Sequence, residues 1–264
     1  MPRRTSRPAS GLWRLLSAPL LLFLLLPLVA LLARTSLAQI QSSLAERDVT
    51  DAIGLSLITT LISLALILAF GTPIAYALAI KKGRAEKLID TVIDLPTVLP
   101  PSVAGIALLL AFGRMGLVGS YFNAWFGLSV AFTQAAVILA QVFVASPFYI
   151  KAAAIALGNV DVDLKQAAAL DGATAWQVFT HITLPLAWSG LVSGAVMSWA
   201  RALGEFGATI LFAGNLPGVT QTMPLAIYLG FESNLDIAIT LSVILLACSL
   251  GALLLAKALL ARED

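Results

Sequence analysis

Arg201 and Glu205 stand four residues apart within an otherwise apolar run. That spacing places both side chains on one face of a helix, where opposite charges can meet. A single charge at the centre of a bilayer costs about 2.5–3.5 kcal/mol on insertion scales, so the two are expected to pair. They serve either as an ion pair at a membrane interface or between helices, or as part of a gate. Pro96, Pro100 and Pro101 form a second cluster. Each proline removes a backbone donor and kinks a helix. The outcome is a kinked packing helix, or a helix that breaks and restarts near Ser102 with its N–H groups facing a passing anion.

Enzymatic chemistry has little to build on. The chain holds one histidine, His181, and one cysteine, Cys248. A disulfide framework is therefore excluded, and a His/Cys metal cage is not expected. No plausible nucleophile–base pair is present, and His181, on a loop, reads as a solvated polar residue. No G-x-x-x-x-G-K-[ST] loop occurs, nor a G-x-G-x-x-G after a strand. The net charge of +2 is too small to suggest a nucleic-acid partner.

The elements that position these residues follow from composition. Of 264 residues, 59% are hydrophobic and 11% charged, and the mean hydropathy is +0.96. Soluble domains run nearer 45–50% apolar and about 25% charged, so a soluble enzyme and a disordered chain are both excluded. Stretches long and apolar enough to cross a bilayer lie near residues 15–33, 53–80, 92–112, 130–150, 184–213 and 237–260. The second and fifth exceed a perpendicular crossing and are expected to tilt or protrude. Six spans put both termini on one side. With that side inside, twelve of the sixteen basic residues fall on inner segments, Lys81, Lys82, Lys87, Lys151 and Lys165 among them. The positive-inside rule then places both termini in the cytoplasm. Cysteines at Ser43 and Ser233 should then be reachable from outside, and one at Lys82 should not. The first span, followed by Ser36-Leu37-Ala38, imitates a cleavable signal; its length favours an uncleaved helix. Counted from Pro185, Arg201 and Glu205 stand about 24 and 30 Å along the fifth helix at 1.5 Å per residue, towards the outer face. Gly190 and Gly194 on the same helix form a small-xxx-small step suited to close helix packing.

Between the fourth and fifth spans lies a long inner segment, residues 151–183. Asp163 with Gln166 has the form of a helix cap with its reciprocal partner, as does Thr174 with Gln177. Gly172 between them suits a left-handed helix stop, and Pro185 suits the first turn of the fifth span. On pattern alone this is an amphipathic pair lying on the lipid surface.

The spacing adds to that reading. Gln166-Ala167-Ala168, Gly172 four residues later, and Ile182-Thr183-Leu184-Pro185 after nine intervening residues resemble the EAA motif of binding-protein-dependent ABC importer permeases. The departure is Gln166, where glutamate is commonest. Leu95-Pro96-Thr97-Val98-Leu99-Pro100-Pro101-Ser102-Val103-Ala104-Gly105 is similar to the third-span signature of molybdate/tungstate permeases. Ala200-Arg201-Ala202-Leu203-Gly204-Glu205-Phe206-Gly207-Ala208-Thr209 and its continuation to Tyr228 are similar too. Sulfate permeases share much of this; the Gly204–Thr209 stretch favours molybdate or tungstate.

The resemblance implies an all-α membrane protein with six transmembrane helices, a type I ABC importer permease with a cytoplasmic coupling helix between the fourth and fifth spans. Residues 1–52 would form the N-terminus, first helix and outer loop, and 53–264 the transport domain, with the coupling element at 163–183. It implies that Gln166, Ala167, Ala168, Gly172, Trp176 and Phe179 contact an ATPase. ATP and Mg would sit on that partner, leaving this chain without a cofactor, metal or catalytic residue. The partners implied are a second permease copy, two cytoplasmic ATPases, an extracytoplasmic oxyanion-binding protein and membrane lipid. Cations are scarce inside the membrane, so anion selectivity is expected mainly in the binding protein. Thr97, Ser102, Ser198, Arg201, Glu205 and Thr209 are the candidates to line or gate the path, though each hydroxyl can also bond its own helix. A sulfate/thiosulfate permease is the nearest rival. A secondary anion transporter or channel lacks a repeated half or proton-relay cluster, and a membrane scaffold leaves the loop spacing unexplained.

Overall fold

The computed structural model describes residues 10–80 and 83–260, with side chains from 16 to 258 outside that gap. Lys81 and Lys82, two of the expected inner cations, lie outside the described residues. The described chain is helical, without a strand. In order the helices are α1 (Ser10–Ala33), α2 (Leu37–Leu44), α3 (Arg47–Ile80), α4 (Arg84–Val98), α5 (Pro101–Phe112), α6 (Gly119–Phe126) and α7 (Gln134–Gly158). They continue as α8 (Val162–Leu170), α9 (Ala175–Val178), α10 (Leu184–Leu186), α11 (Trp188–Leu203), α12 (Gly207–Phe212), α13 (Met223–Ser233) and α14 (Leu235–Leu260).

Four helices are long and apolar enough to cross a membrane: Leu16–Ala33, Arg47–Ile80, Gln134–Gly158 and Leu235–Ala258. The third and fifth expected spans are not continuous. α4 and α5 meet at 116°, and the segment Ala175–Leu186 meets α11 at 71°. The first break lies at Leu99–Pro100, where Leu99 N–H makes the last bond of α4, to Leu95 O. Pro100 and Pro101 then offer no donor, and Pro101 opens α5 in the first-turn position prolines favour. Pro96 is carried inside α4 without ending it. Before the second break, Pro185 cannot donate to the carbonyl four residues back. The preceding turn, Phe179–Thr183, widens to π geometry, with Leu184 N–H bonding Phe179 O. The fifth helix also ends earlier than expected, at Leu203, and α12 starts afresh at Gly207.

α3 and α7 run parallel through the middle of the molecule, Ser63 opposite Gln141 and Gly71 against Tyr149 and Ile150. α11 returns antiparallel beside α7. A Cβ on Gly190 would overlap that of Ala156, and one on Gly194 would lie 2.8 Å from the Ala152 Cβ. The small-xxx-small step is thus a packing seam between α11 and α7. α2 and the α13–α14 turn close one end of the bundle; α8 and α9 lie at the other. α1 exposes its described apolar side chains almost throughout and rests on α14, as suits a lipid-facing helix.

Candidate functional site

The two broken spans converge. A Cβ on Gly207 would lie 2.5 Å from Pro101 Cβ, and one on Gly105 would lie 2.8 Å from Ala208 O and 2.9 Å from Leu211 Cβ. Glycine at both positions lets the start of α12 lie directly on α5. The stretches beginning at Leu95 and Ala200, far apart in sequence, thereby form one structural unit.

Arg201 and Glu205 stand at this junction. Their pairing is as expected, with Arg201 Nη1 donating to Glu205 Oε2 at 2.9 Å. Their setting differs from the expected single helix face. Glu205 lies past the end of α11, in the break, and its Oε1 accepts the Ala208 N–H at 2.8 Å. The carboxylate therefore caps α12 while neutralising the guanidinium. Its side chain is 1% exposed and that of Arg201 30%, so the acid is buried and the base reaches open space. Such a buried carboxylate is tolerable because both oxygens are satisfied by charge-assisted bonds. The kink at Ala187 also invalidates a distance counted straight from Pro185; from Trp188, Arg201 stands about 20 Å along α11.

The hydroxyl candidates separate. Ser102 is exposed at the first turn of α5, and Thr97 is exposed with its Oγ1 bonded to Asp94 O at 2.7 Å. Ser198 is fully buried and donates to Ala145 O at 2.8 Å, tying α11 to α7. Thr209 is fully buried in α12, and its Oγ1 has no hydrogen-bond partner among the described residues.

A further polar group was not read from the sequence. Gln141 of α7 donates to Thr59 Oγ1 at 3.1 Å and accepts from Ser63 Oγ at 2.9 Å. Trp199 Nε1 reaches Thr60 Oγ1 at 3.1 Å, and Ser56 Oγ takes the Met223 N–H at 2.7 Å, holding the start of α13 within the bundle. Ser56, Thr59, Thr60 and Ser63 recur at helical spacing on one face of α3, which is the signal that could have revealed them.

At the other end, α4 is tied to α7 by Lys151, whose Nζ lies 2.5 Å from Asp90 Oδ1 and 2.9 Å from Asp94 Oδ2. The segment after α7 forms the two expected helices with one correction. α8 is capped by Asp161, which accepts from Asp163 N–H at 2.9 Å, rather than by Asp163 with Gln166. Gly172 has φ +89°, the left-handed stop expected of it. Its N–H bonds Ala169 O, and the Ala173 N–H bonds Ala168 O. The Thr174–Gln177 capping box is present in both directions. Gln166, Ala167 and Trp176 are exposed, the last to 71%. Phe179 is half-buried and packs edge-on to Tyr76 of α3 at 4.7 Å between ring centres, anchoring the segment to the bundle. His181 is exposed and turns its Nδ1 to Thr180 Oγ1. No group of three His, Cys, Asp or Glu among the described residues could hold a metal ion.

Broken helices meeting inside an apolar bundle, with a buried ion pair at their junction and an anchored pair of short helices at one end, define a helical membrane transport subunit. Irregular backbone at membrane depth is tolerated only against protein or a water-filled path. Residues 71–263 match the family of the binding-protein-dependent transport system inner membrane component, and the chain belongs to that family. It is 43% identical over 225 residues to the molybdenum transport system permease protein ModB of Mycobacterium tuberculosis, covering 85% of each chain. It is 47% identical over 178 residues to ModB of Haemophilus influenzae, covering 67% of this chain and 78% of that one. A bacterial alginate ABC transporter, solved with a pentasaccharide-bound periplasmic protein, contains a chain superposing at TM-score 0.69 with 21% identity over 98% of both. The fold is thus that of ABC importer permeases. The chain is an inner-membrane, multi-pass component of such an importer, and ATP hydrolysis belongs to a separate subunit.

Proposed function

We propose that this chain forms the translocation pathway of an ATP-driven molybdate importer, with tungstate as an equivalent cargo. The observation that carries the reading is the contact of Gly207 and Gly105 with the α5–α12 junction. It unites the two stretches whose sequences resemble molybdate/tungstate permeases, and relatives named for molybdenum transport share 43–47% of their aligned residues with this chain. Ser102 and Arg201, which reach open space at that junction, line the path. Glu205 and Thr209 hold its wall, Ser198 fixes α11 behind it, and Thr97 stands at its α4 end.

The end bearing α8 and α9 faces the cytoplasm, as do both termini. The element 163–183 docks on the ATPase through Gln166, Ala167, Ala168, Gly172 and Trp176, with Phe179 relaying its movement to α3 through Tyr76. Two copies of the chain pair around the path, with two ATPases inside and an oxyanion-binding protein outside. The apolar side chains on α8 and α9 support docking: Leu170 is 89% and Trp176 71% exposed. Reconstitution with the ATPase and binding protein tests the reading. Molybdate- or tungstate-loaded binding protein should stimulate ATP turnover, and stimulation by the sulfate-loaded form alone overturns the substrate assignment.

A further inference from the structure

α4 is held to the bundle differently from the helices around it. None of its residues is buried, and Leu88, Val92, Leu95 and Val98 are each more than half exposed. Its charged side is the one turned inward. Asp90 and Asp94, one turn apart, meet the Lys151 ammonium of α7 at 2.5 and 2.9 Å. Beside the lysine, a cavity of about 460 Å³ lies between α3, α4 and α7, with Glu86, Lys87, Asp90 and Ala154 on its walls. A helix that points charge inward and leucine outward borders water rather than packed apolar side chains. All three members of the triad stay one-third to one-half exposed, so water takes up each charge as soon as the pairs part. Exposed pairs of this kind are weak and can open and re-form. The Arg201–Glu205 pair is built the opposite way, since its carboxylate is enclosed and parting it would strand a buried charge.

We propose that Lys151, Asp90 and Asp94 form an ionic latch that shuts the α8 end of the translocation path and opens in each transport cycle. Glu86 and Lys87 offset each other, so the closed latch, with two carboxylates on one ammonium, leaves a net negative charge at the cavity. That field turns back a dianion. When the latch opens, α4 turns about the Leu99–Pro100 break and carries its carboxylates away, since no buried apolar residue holds it in place. The Lys151 ammonium then faces the exit alone, with the sign that suits a departing oxyanion. The pull reaches the lysine along α7. Lys151 stands about two turns before the end of that helix, and Lys165 of α8 bonds Leu157 O at 3.4 Å, so a shift of α8 is passed to the turns that carry Lys151.

The inference rests on the importer reading and on the α8 end facing inward. Its test is a cysteine pair, Asp90→Cys with Ala154→Cys, in a Cys248→Ser background and with cysteine-free partner subunits. Both positions lie on the cavity wall, and Lys151 keeps Asp94. The permease–ATPase complex is placed in liposomes, and uptake of molybdate from its binding protein is followed before and after bridging by a short bifunctional methanethiosulfonate, then after reductant. Bridging should cut uptake about tenfold or more and reduction should restore it, with ATPase retention and binding-protein affinity unchanged. A brace that only fixes α4 never has to open, so equal uptake by the bridged and reduced complexes overturns the latch. The charge is tested separately. Lys151→Gln should raise ATP turnover without binding protein several-fold, and Lys151→Arg should hold it down. A Lys151→Gln complex that retains its ATPase and turns over as the wild type does also overturns the latch. A wild-type complex that retains its ATPase but takes up no molybdate from the binding protein overturns the importer reading instead.

Discussion

The Arg201 guanidinium and the Glu205 carboxylate meet at 2.9 Å across the end of α11, and the two are unequally buried. Glu205 is enclosed and also caps α12 through Ala208, whereas Arg201 keeps a third of its side chain in the open. The asymmetry sets the order in which variants should suffer. Arg201→Ala strands a buried carboxylate with one remaining donor and should cost about 3 kcal/mol, the lower end for breaking a buried pair. Glu205→Gln keeps an oxygen for the Ala208 N–H and should cost about 1 kcal/mol. Combining Arg201→Ala with Glu205→Gln should recover part of the loss. Melting curves of the purified permease measure all three. An Arg201→Ala variant as stable as wild type shows that the pair does not support the junction.

Lys151 bridges Asp90 and Asp94 with all three side chains one-third to one-half exposed. Solvent-exposed pairs contribute about 0.2–1 kcal/mol each, and either acid alone can hold the lysine. Asp90→Asn and Asp94→Asn should therefore each change stability by less than about 0.5 kcal/mol, while the double variant should lose about 1 kcal/mol. The double variant should also free α4 from α7, raising ATP turnover in the absence of binding protein. Single variants as damaging as the double one would mean that the carboxylates act separately.

What the sequence made legible was what a local rule could decide. Thr174 and Gln177 cap each other because that exchange involves only neighbours, and Gly172 stops a helix because its own φ allows it. Hydropathy located the spans; the prolines offered the break at 99–100 as one of two outcomes, but nothing local marked the interruption at 204–206. Residues on either side of that interruption are equally apolar, and the new helix start is fixed by a side chain, Glu205, turning onto a backbone amide. The α3 hydroxyls were averaged away inside a strongly apolar run. The cap of α8 was misplaced by two residues because aspartate stands at both 161 and 163, and only the backbone direction selects the first.

Ser43 illustrates how burial alters a topology experiment. It lies on the end expected to face outward, but it is 3% exposed and its Oγ accepts from Thr240 at 3.2 Å. A cysteine there should resist labelling for want of access. Ser42 and Ser233 are exposed at the same end, and Asp163 is exposed at the other. In a Cys248→Ser background, Ser42→Cys and Ser233→Cys should react with an impermeant thiol reagent applied outside intact cells. Asp163→Cys should react only after permeabilisation. The reverse pattern overturns the proposed orientation, and with it the docking face of α8.

Gly172 gives the most exposed prediction, because it tests the step from local geometry to energy coupling. At φ +89° a β-branched side chain is strained, although a Cβ there would meet nothing within 4 Å. The cost of Gly172→Val is thus conformational rather than steric, and the chain relieves it by re-aiming α8 relative to α9. α8 touches the end of α7 through a long bond, Lys165 Nζ to Leu157 O at 3.4 Å, while the turn after α9 is anchored separately by Phe179 on Tyr76, so the bundle should tolerate the change. The variant should insert and melt within about 1–2 kcal/mol of wild type, yet retain the ATPase weakly and lose cargo-stimulated ATP hydrolysis. Gln166→Glu, on the exposed face of α8, should be tolerated. A pair of helices that merely lay on lipid would respond differently, with membrane association shifting slightly and ATPase retention unchanged. Pull-down of the ATPase by wild-type and Gly172→Val permease separates the two accounts, and equal retention with equal turnover removes the segment from the coupling path.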